Sequence, residues 1–163
     1  MKPTVPMAIT TISVAFFAMQ ASYAFAQDDI GSRMFSAELT GDAEVPATDT
    51  TASGIAQFQL DEDQTIGFYQ IELMNIEAVT AAHIHLGQED RNGPIVLVLF
   101  RSQTPTGQVD GVLSQGDIIS EDFEGPLKGK QLSDLINVIE EEGAYVNVLT
   151  QENPTGEIRG QIK

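Results

Sequence analysis

Apolar residues return at every second position in three successive stretches: Phe35, Ala37 and Leu39; Ala56, Phe58 and Leu60; Tyr69, Ile71 and Leu73. Side chains on an extended backbone alternate between faces, so each stretch has one apolar side and one polar side. Ser36, Glu38, Gln57 and Gln59 fall on the polar side. The pattern predicts half-buried strands over 33–40, 54–60 and 65–73. The short charged segment Asp61-Glu62-Asp63-Gln64 joins the last two as an antiparallel hairpin.

The stretch Ala81 to Phe100 extends the argument. His83 and His85 are the only histidines, and a spacing of two puts both on one face of a strand. Ala82, Ile84 and Leu86 then point the other way, into a core. Gly87 to Pro94 supplies turn chemistry, strongest at Asn92-Gly93-Pro94. Ile95 to Phe100 is unbroken apolar sequence, too short for a typical buried helix and rich in β-favouring residues. It reads as a strand covered on both faces.

Further on, 109–120 carries a weaker strand pattern interrupted by Gly111 and Gly116, and 144–150 and 157–162 read as two more strands around an Asn153-Pro154-Thr155-Gly156 turn. One helix is predicted, over 131–141. Leu132, Leu135, Ile136 and Ile139 form a single stripe, and Gly143 is placed to end it. Glu140, Glu141 and Glu142 oppose the helix dipole, so this helix depends on packing. The fold class expected is all-β: an antiparallel, Greek-key-like β-sandwich or flattened barrel with one short helix.

The first 26 residues stand apart. Lys2 is their only charge, an apolar run spans Met7 to Met19, and Ala24-Phe25-Ala26 has the small-x-small form of a signal-peptidase site. The expectation is a cleaved signal peptide over 1–26 with the mature chain starting at Gln27; an uncleaved amino-terminal anchor is the alternative. A short lead-in to residue 33 and one β domain over 34–163 follow. The protein is then secreted or held at the cell surface, with no transmembrane span in the mature chain.

The whole sequence carries a formal charge of −16, and loss of Lys2 makes the mature chain more acidic still. Such a chain repels nucleic acids and anionic membranes, and the expected partner is a protein or a cell-envelope component. With no cysteine, an exported domain must be held by its core alone, and thiolate metal sites and redox pairs are excluded. There is no nucleophile elbow and no phosphate-binding glycine loop. Asp61-Glu62-Asp63 and Glu89-Asp90-Arg91-Asn92 lack the spacing of an EF-hand loop and read as solvated turns.

His83 and His85 are the sharpest chemical feature. Two imidazoles on one strand face can hold copper or zinc, with remaining ligands from carboxylates such as Glu44, Glu89 or Asp90, from the amino terminus, or from water. The competing reading is structural: imidazoles hydrogen-bonded to a neighbouring strand or loop. Tyr145 and Asn147 share one face, as do Glu157 and Arg159, and pairing of their strands would gather a polar patch near the histidines.

These pieces also carry a resemblance. Ser36-Ala37-Glu38-Leu39-Thr40-Gly41, Glu44-Val45-Pro46, Gly54-x-Ala56-x-Phe58 and Ala82-His83-Ile84-His85-Leu86-Gly87 are followed in order by Asn92-Gly93-Pro94-Ile95-Val96, Leu132-x-x-Leu135-Ile136, Tyr145-Val146-Asn147-Val148 and Pro154-x-Gly156-Glu157-Ile158-Arg159-Gly160-Gln161-Ile162. The set resembles the CHRD domain, the module first named in chordin and also found in exported prokaryotic proteins, over nearly all of 34–162. The resemblance implies a β-sandwich or flattened barrel, an exported and often cell-surface setting, and no well-established enzymatic activity. In the family the Tyr-Val-Asn-Val strand is usually followed by His-Thr; here Leu149-Thr150 follows. Any family site that needs a histidine there lacks one ligand in this chain.

Overall fold

The computed structural model describes residues 32–61 and 66–163. The expected signal peptide, most of the lead-in and most of the Asp61–Gln64 turn lie outside the described residues. Eight strands follow the sequence pattern closely: β1 (Ser32–Thr40), β2 (Ser53–Asp61), β3 (Ile66–Ile76), β4 (Val79–Leu86), β5 (Ile95–Arg101), β6 (Val109–Ile119), β7 (Ala144–Thr150) and β8 (Ile158–Gln161). The one helix, α1 (Leu132–Glu140), lies between β6 and β7 after two short 3-10 turns.

All eight strands belong to one antiparallel sheet in the order β5-β4-β7-β8-β1-β2-β3-β6. Of the two β architectures expected, the sheet takes the barrel form, curling until its ends, β5 and β6, come together. Side chains, not a ladder, bridge that seam. The hydroxyls of Tyr69 on β3 and Ser114 on β6 both donate to the carbonyl of Leu99 on β5. The outer edge of β5 is met by the backbone N–H of Glu124, which donates to Val96 O at 2.8 Å. Val96 and Leu97, adjacent in sequence, are both buried, as a strand covered on both faces requires.

The period-two residues meet inside in cross-strand rows. Phe35, Phe58 and Tyr69 form one, Ala37, Ala56 and Ile71 the next, then Leu39, Gly54 and Leu73. On the other side Ala82 and Ile84 face Val148 and Val146, with Ile158 and Gly160 beyond. The helix adds Leu132, Leu135, Ile136 and Ile139 to this core. Its start is held by the Asp134 carboxylate, which accepts from the Gln131 N–H at 2.8 Å. Its end is a Schellman turn: Glu142 takes the left-handed conformation (φ 54°), and the N–H groups of Glu142 and Gly143 donate to Ile139 and Val138. Gly143 therefore sits one position past the left-handed residue, where its lack of a side chain allows close approach to Val138. Among the described residues no helix is long and apolar enough to cross a membrane.

Candidate functional site

The outward face of β4, β7 and β8 carries two cross-strand rows of polar residues. His83 pairs with Asn147, which pairs with Arg159; His85 pairs with Tyr145, which pairs with Gln161. Alternation alone would leave these side chains in water. Instead His83, Asn147 and Arg159 are only 5%, 3% and 1% exposed. Two loops meet this face: residues 87–94 between β4 and β5 close over Arg159, and Glu44, from the loop between β1 and β2, lies beside Asn147.

Arg159 anchors the second loop. Its guanidinium donates to the carbonyls of Gln88 (2.8 Å) and Arg91 (3.0 Å) and to Asn92 Oδ1 (3.0 Å), and it lies 3.6 Å from the centre of the Tyr145 ring. A planar cation with several fixed donors suits this task, and stacking on an aromatic face adds to it. The Tyr145 hydroxyl accepts from the Gly93 N–H at 3.1 Å. His85 Nδ1 donates to Gly93 O at 2.9 Å, and its ring stacks on Tyr145 with centroids 5.0 Å apart. Because a carbonyl can only accept, that bond fixes the proton of neutral His85 on Nδ1 and leaves Nε2 as an acceptor. Gln161 Nε2 donates to Gly87 O and Glu142 O. Asn92 joins the loops, donating from Nδ2 to Val45 O at 2.6 Å. A Cβ at Gly93 would strike the Leu86 carbonyl, so the loop closes this tightly only with glycine there.

Beneath these bonds lies a group of buried polar atoms without a hydrogen-bond partner in the protein: both ring nitrogens of His83, Nε2 of His85, Oδ1 of Asn147, Oε1 of Glu44 and Oε1 of Gln161. Asn147 Nδ2 donates to Thr155 O at 3.3 Å. Glu44 reaches in from the first loop. Its Oε1 and the Asn147 amide both crowd Gly156, where φ is 146° and a Cβ would collide with either group. Burial pushes the Glu44 carboxyl up to about 7, against the opposing pull of Arg159 and of the Val45 backbone. Burial, with the charges of His85 and Arg101, pushes His83 down to about 4. Burial also lowers His85, partly offset by its bond to Gly93 and reinforced by Arg159. Both imidazoles are thus neutral at pH 7.

The structure gathers His83, His85, Tyr145, Asn147 and Arg159 into one buried layer, with Glu44 at its margin. The histidine ring centroids stand 5.8 Å apart. Glu157 is engaged elsewhere: its carboxylate accepts from Thr50 and Thr150 at 2.8 and 2.7 Å. Glu89 and Asp90 are exposed on the loop. Leu149 pairs with Ala81, one row beyond His83 and Asn147 on the same face. Among the described residues no group of three or more His, Cys, Asp or Glu lies at metal-holding spacing. Sequence reasoning does not place Asn92, Gln161 or Gly156 in the site. Asn92 and Gly156 read as turn chemistry, and Gln161 as an ordinary polar residue of the last strand.

The opposed shifts of Glu44 and His83 predict a distinctive pH dependence. With its pKa raised from 4.5 to about 7, Glu44 binds more protons folded than unfolded in that window. Its contribution is full below pH 4.5 and is lost as pH rises through 7. His83, lowered from 6.5 to about 4, acts oppositely: its contribution is full above pH 6.5 and is lost as pH falls through 4. In urea titrations the stability of wild type relative to Glu44→Gln should fall between pH 4.5 and 7, by up to about 3 kcal/mol. A difference that stays constant across that range contradicts the burial assigned to Glu44.

The family model described as CHRD domain matches residues 35–162. Neither a curated protein nor a solved structure matches the chain.

Proposed function

The chain belongs to the CHRD domain family, and on that premise we propose that it is an exported, non-enzymatic β module that binds a protein or envelope component, or holds structure, at the cell envelope or outside the cell. One observation carries this reading. The hydrogen bonds of Arg159, Tyr145, His85 and Gln161 all tie loop 87–94 and its neighbourhood to the barrel. A loop held in one conformation loses little entropy when a partner docks on it, which is what a recognition surface needs. Gln88, Glu89, Asp90 and Arg91 present exposed side chains on that loop.

The test is made in the native host. Amino-terminal sequencing of the exported material should begin at Gln27, as Ala24-Phe25-Ala26 requires. A photo-crosslinker at Glu89 should then give a discrete adduct in the envelope or medium, absent when it is moved to exposed Gln115 on β6. Intact Met1 in a cytosolic fraction, or the same diffuse labelling from both positions, contradicts the reading.

A second reading is favoured by a separate observation. Three of the four ring nitrogens of His83 and His85 are buried with no hydrogen-bond partner in the protein, so they remain free to bind something from outside it. On this reading the pair binds copper or zinc. Glu44 would act as a further oxygen ligand or stand behind one, and the Gly93 carbonyl orients the His85 ring as outer partners of metal ligands do.

A further inference from the structure

We propose that the ion of this site is copper(I), held by one ring nitrogen of His83 and by Nε2 of His85 as its two protein ligands; this rests on the metal reading of the histidine pair. The hydrogen bond from His85 Nδ1 to Gly93 O leaves Nε2 as the one free lone pair of that ring. Neutral His83 carries its proton on one ring nitrogen and a lone pair on the other. Neither nitrogen is hydrogen-bonded, so the ring can turn about its Cβ–Cγ bond and offer either one. The pair therefore supplies two lone pairs, one from each ring. With metal–nitrogen bonds of about 2 Å, two imidazoles at the tetrahedral angle hold their ring centres about 5 Å apart, and two in line about 6 Å apart. The observed separation is 5.8 Å, close to the in-line value.

The surroundings of the pair favour a singly charged ion with few ligands. Among the described residues no third His, Cys, Asp or Glu joins the histidines at metal-holding spacing. Glu44 lies against Gly156 beside Asn147. The cross-strand neighbours on β5 are Val98 for His83 and Ile95 for His85, and Ala81 and Leu149 hold the next row; all four are apolar. The free nitrogens are themselves buried, so bulk water does not reach them to fill out a coordination shell. Zinc takes four ligands, and copper(II) prefers a tetragonal set. A cuprous ion imposes no such geometry and accepts two nitrogens in line. Charge points the same way. The arginines whose charges bear on the rings, Arg101 on His83 and Arg159 on His85, are both positive. The cost of taking an ion out of water rises with the square of its charge, so a dication loses about four times what a monocation of equal size loses. His85 is only half-buried, and its exposed edge is the way in.

The purified full-length protein is titrated under anaerobic conditions with copper(I) in competition with bicinchoninate, and with silver nitrate as a redox-inert monovalent probe. Zinc chloride and copper sulfate are titrated by calorimetry, and X-ray absorption counts the nitrogens on bound copper(I). Wild type should bind one copper(I) or one silver(I), the copper with a two-nitrogen shell. It should bind zinc and copper(II) more weakly by roughly a hundredfold or more. His83→Ala should lose the copper(I); if that variant does not fold, the absorption spectrum of wild type decides the matter. If wild type binds none of the four ions, the metal reading falls and this proposal with it. If zinc or copper(II) binds as tightly as copper(I), or the copper(I) shell holds three or more ligands, the metal reading stands and the two-ligand copper(I) assignment is refuted. Copper(I) binding undiminished in His83→Ala places the ion elsewhere and overturns both.

Discussion

Replacing Ile84 by Asp leaves a chain with no cooperative thermal transition, while His83→Ala, one residue away, still melts cooperatively. Ile84 is fully buried on the inner face of β4, in register with Leu97 on β5 and Val146 on β7. A carboxylate there has no partner. Loss of the isoleucine removes about 1.5–3 kcal/mol of apolar burial, and an unpaired buried charge costs several kcal/mol more. Together these match the ~5–15 kcal/mol that holds a domain of this kind. His83 lies on the opposite face and makes no hydrogen bond that the substitution would break, so its loss falls in the ordinary range of about 0.5–3 kcal/mol. Melts followed by circular dichroism compare the two. An Ile84→Asp protein that melts near wild type, or a His83→Ala protein as damaged as Ile84→Asp, contradicts the orientation of β4.

That orientation was legible in the sequence because a single periodicity encodes it. Ala37, Phe58, Ile71 and Ile84 announce their inward direction two residues at a time, and the strands and the helix fall within a few residues of where the pattern puts them. What closes the barrel was not legible. Tyr69 reads as one more inward aromatic, and nothing local says that its hydroxyl will meet Ser114 and the Leu99 carbonyl across the seam. The candidate site divides the same way. Alternation placed the two histidines on one face and put Tyr145, Asn147 and Arg159 near them. It could not say how deeply this face is covered, and Arg159 is among the most buried side chains of the described residues. Burial of an outward face depends on where distant loops return. The reach of Asn92 to both Arg159 and Val45 is a long-range fact with no periodic signature.

Arg159→Ala is the second large effect, with an expected loss of about 3–5 kcal/mol. The substitution strips a guanidinium from three acceptors on loop 87–94, uncovers the Tyr145 ring, and removes the cation that opposes the burial of Glu44. The main cost is the loss of three charge-assisted hydrogen bonds and of the packing of a fully buried side chain against Tyr145. Arg159→Lys keeps the charge but cannot span Gln88, Arg91 and Asn92 with one ammonium, so it falls between wild type and alanine. Arg91→Ala is the control. Its side chain is exposed and only its backbone carbonyl serves the network, so the change stays within about 0.5 kcal/mol. Urea unfolding of the three variants checks the order. An Arg159→Ala protein within 1 kcal/mol of wild type would show that the loop does not depend on the guanidinium.

The claim on which the function rests is that loop 87–94 belongs to the rigid body of the barrel, and amide hydrogen exchange at Gly93 measures it directly. Gly93 lies in a polar turn of the kind that ordinarily exchanges freely, but its N–H donates to the buried Tyr145 hydroxyl. In wild type this amide should be protected nearly as well as those of β4 and β7, opening only with the whole domain. In Arg159→Ala it should become fast while the β2 and β3 amides stay slow. Rapid exchange at Gly93 in wild type, with the barrel strands protected, would mean that the loop moves independently, and it would remove the basis for reading this face as a preformed recognition surface.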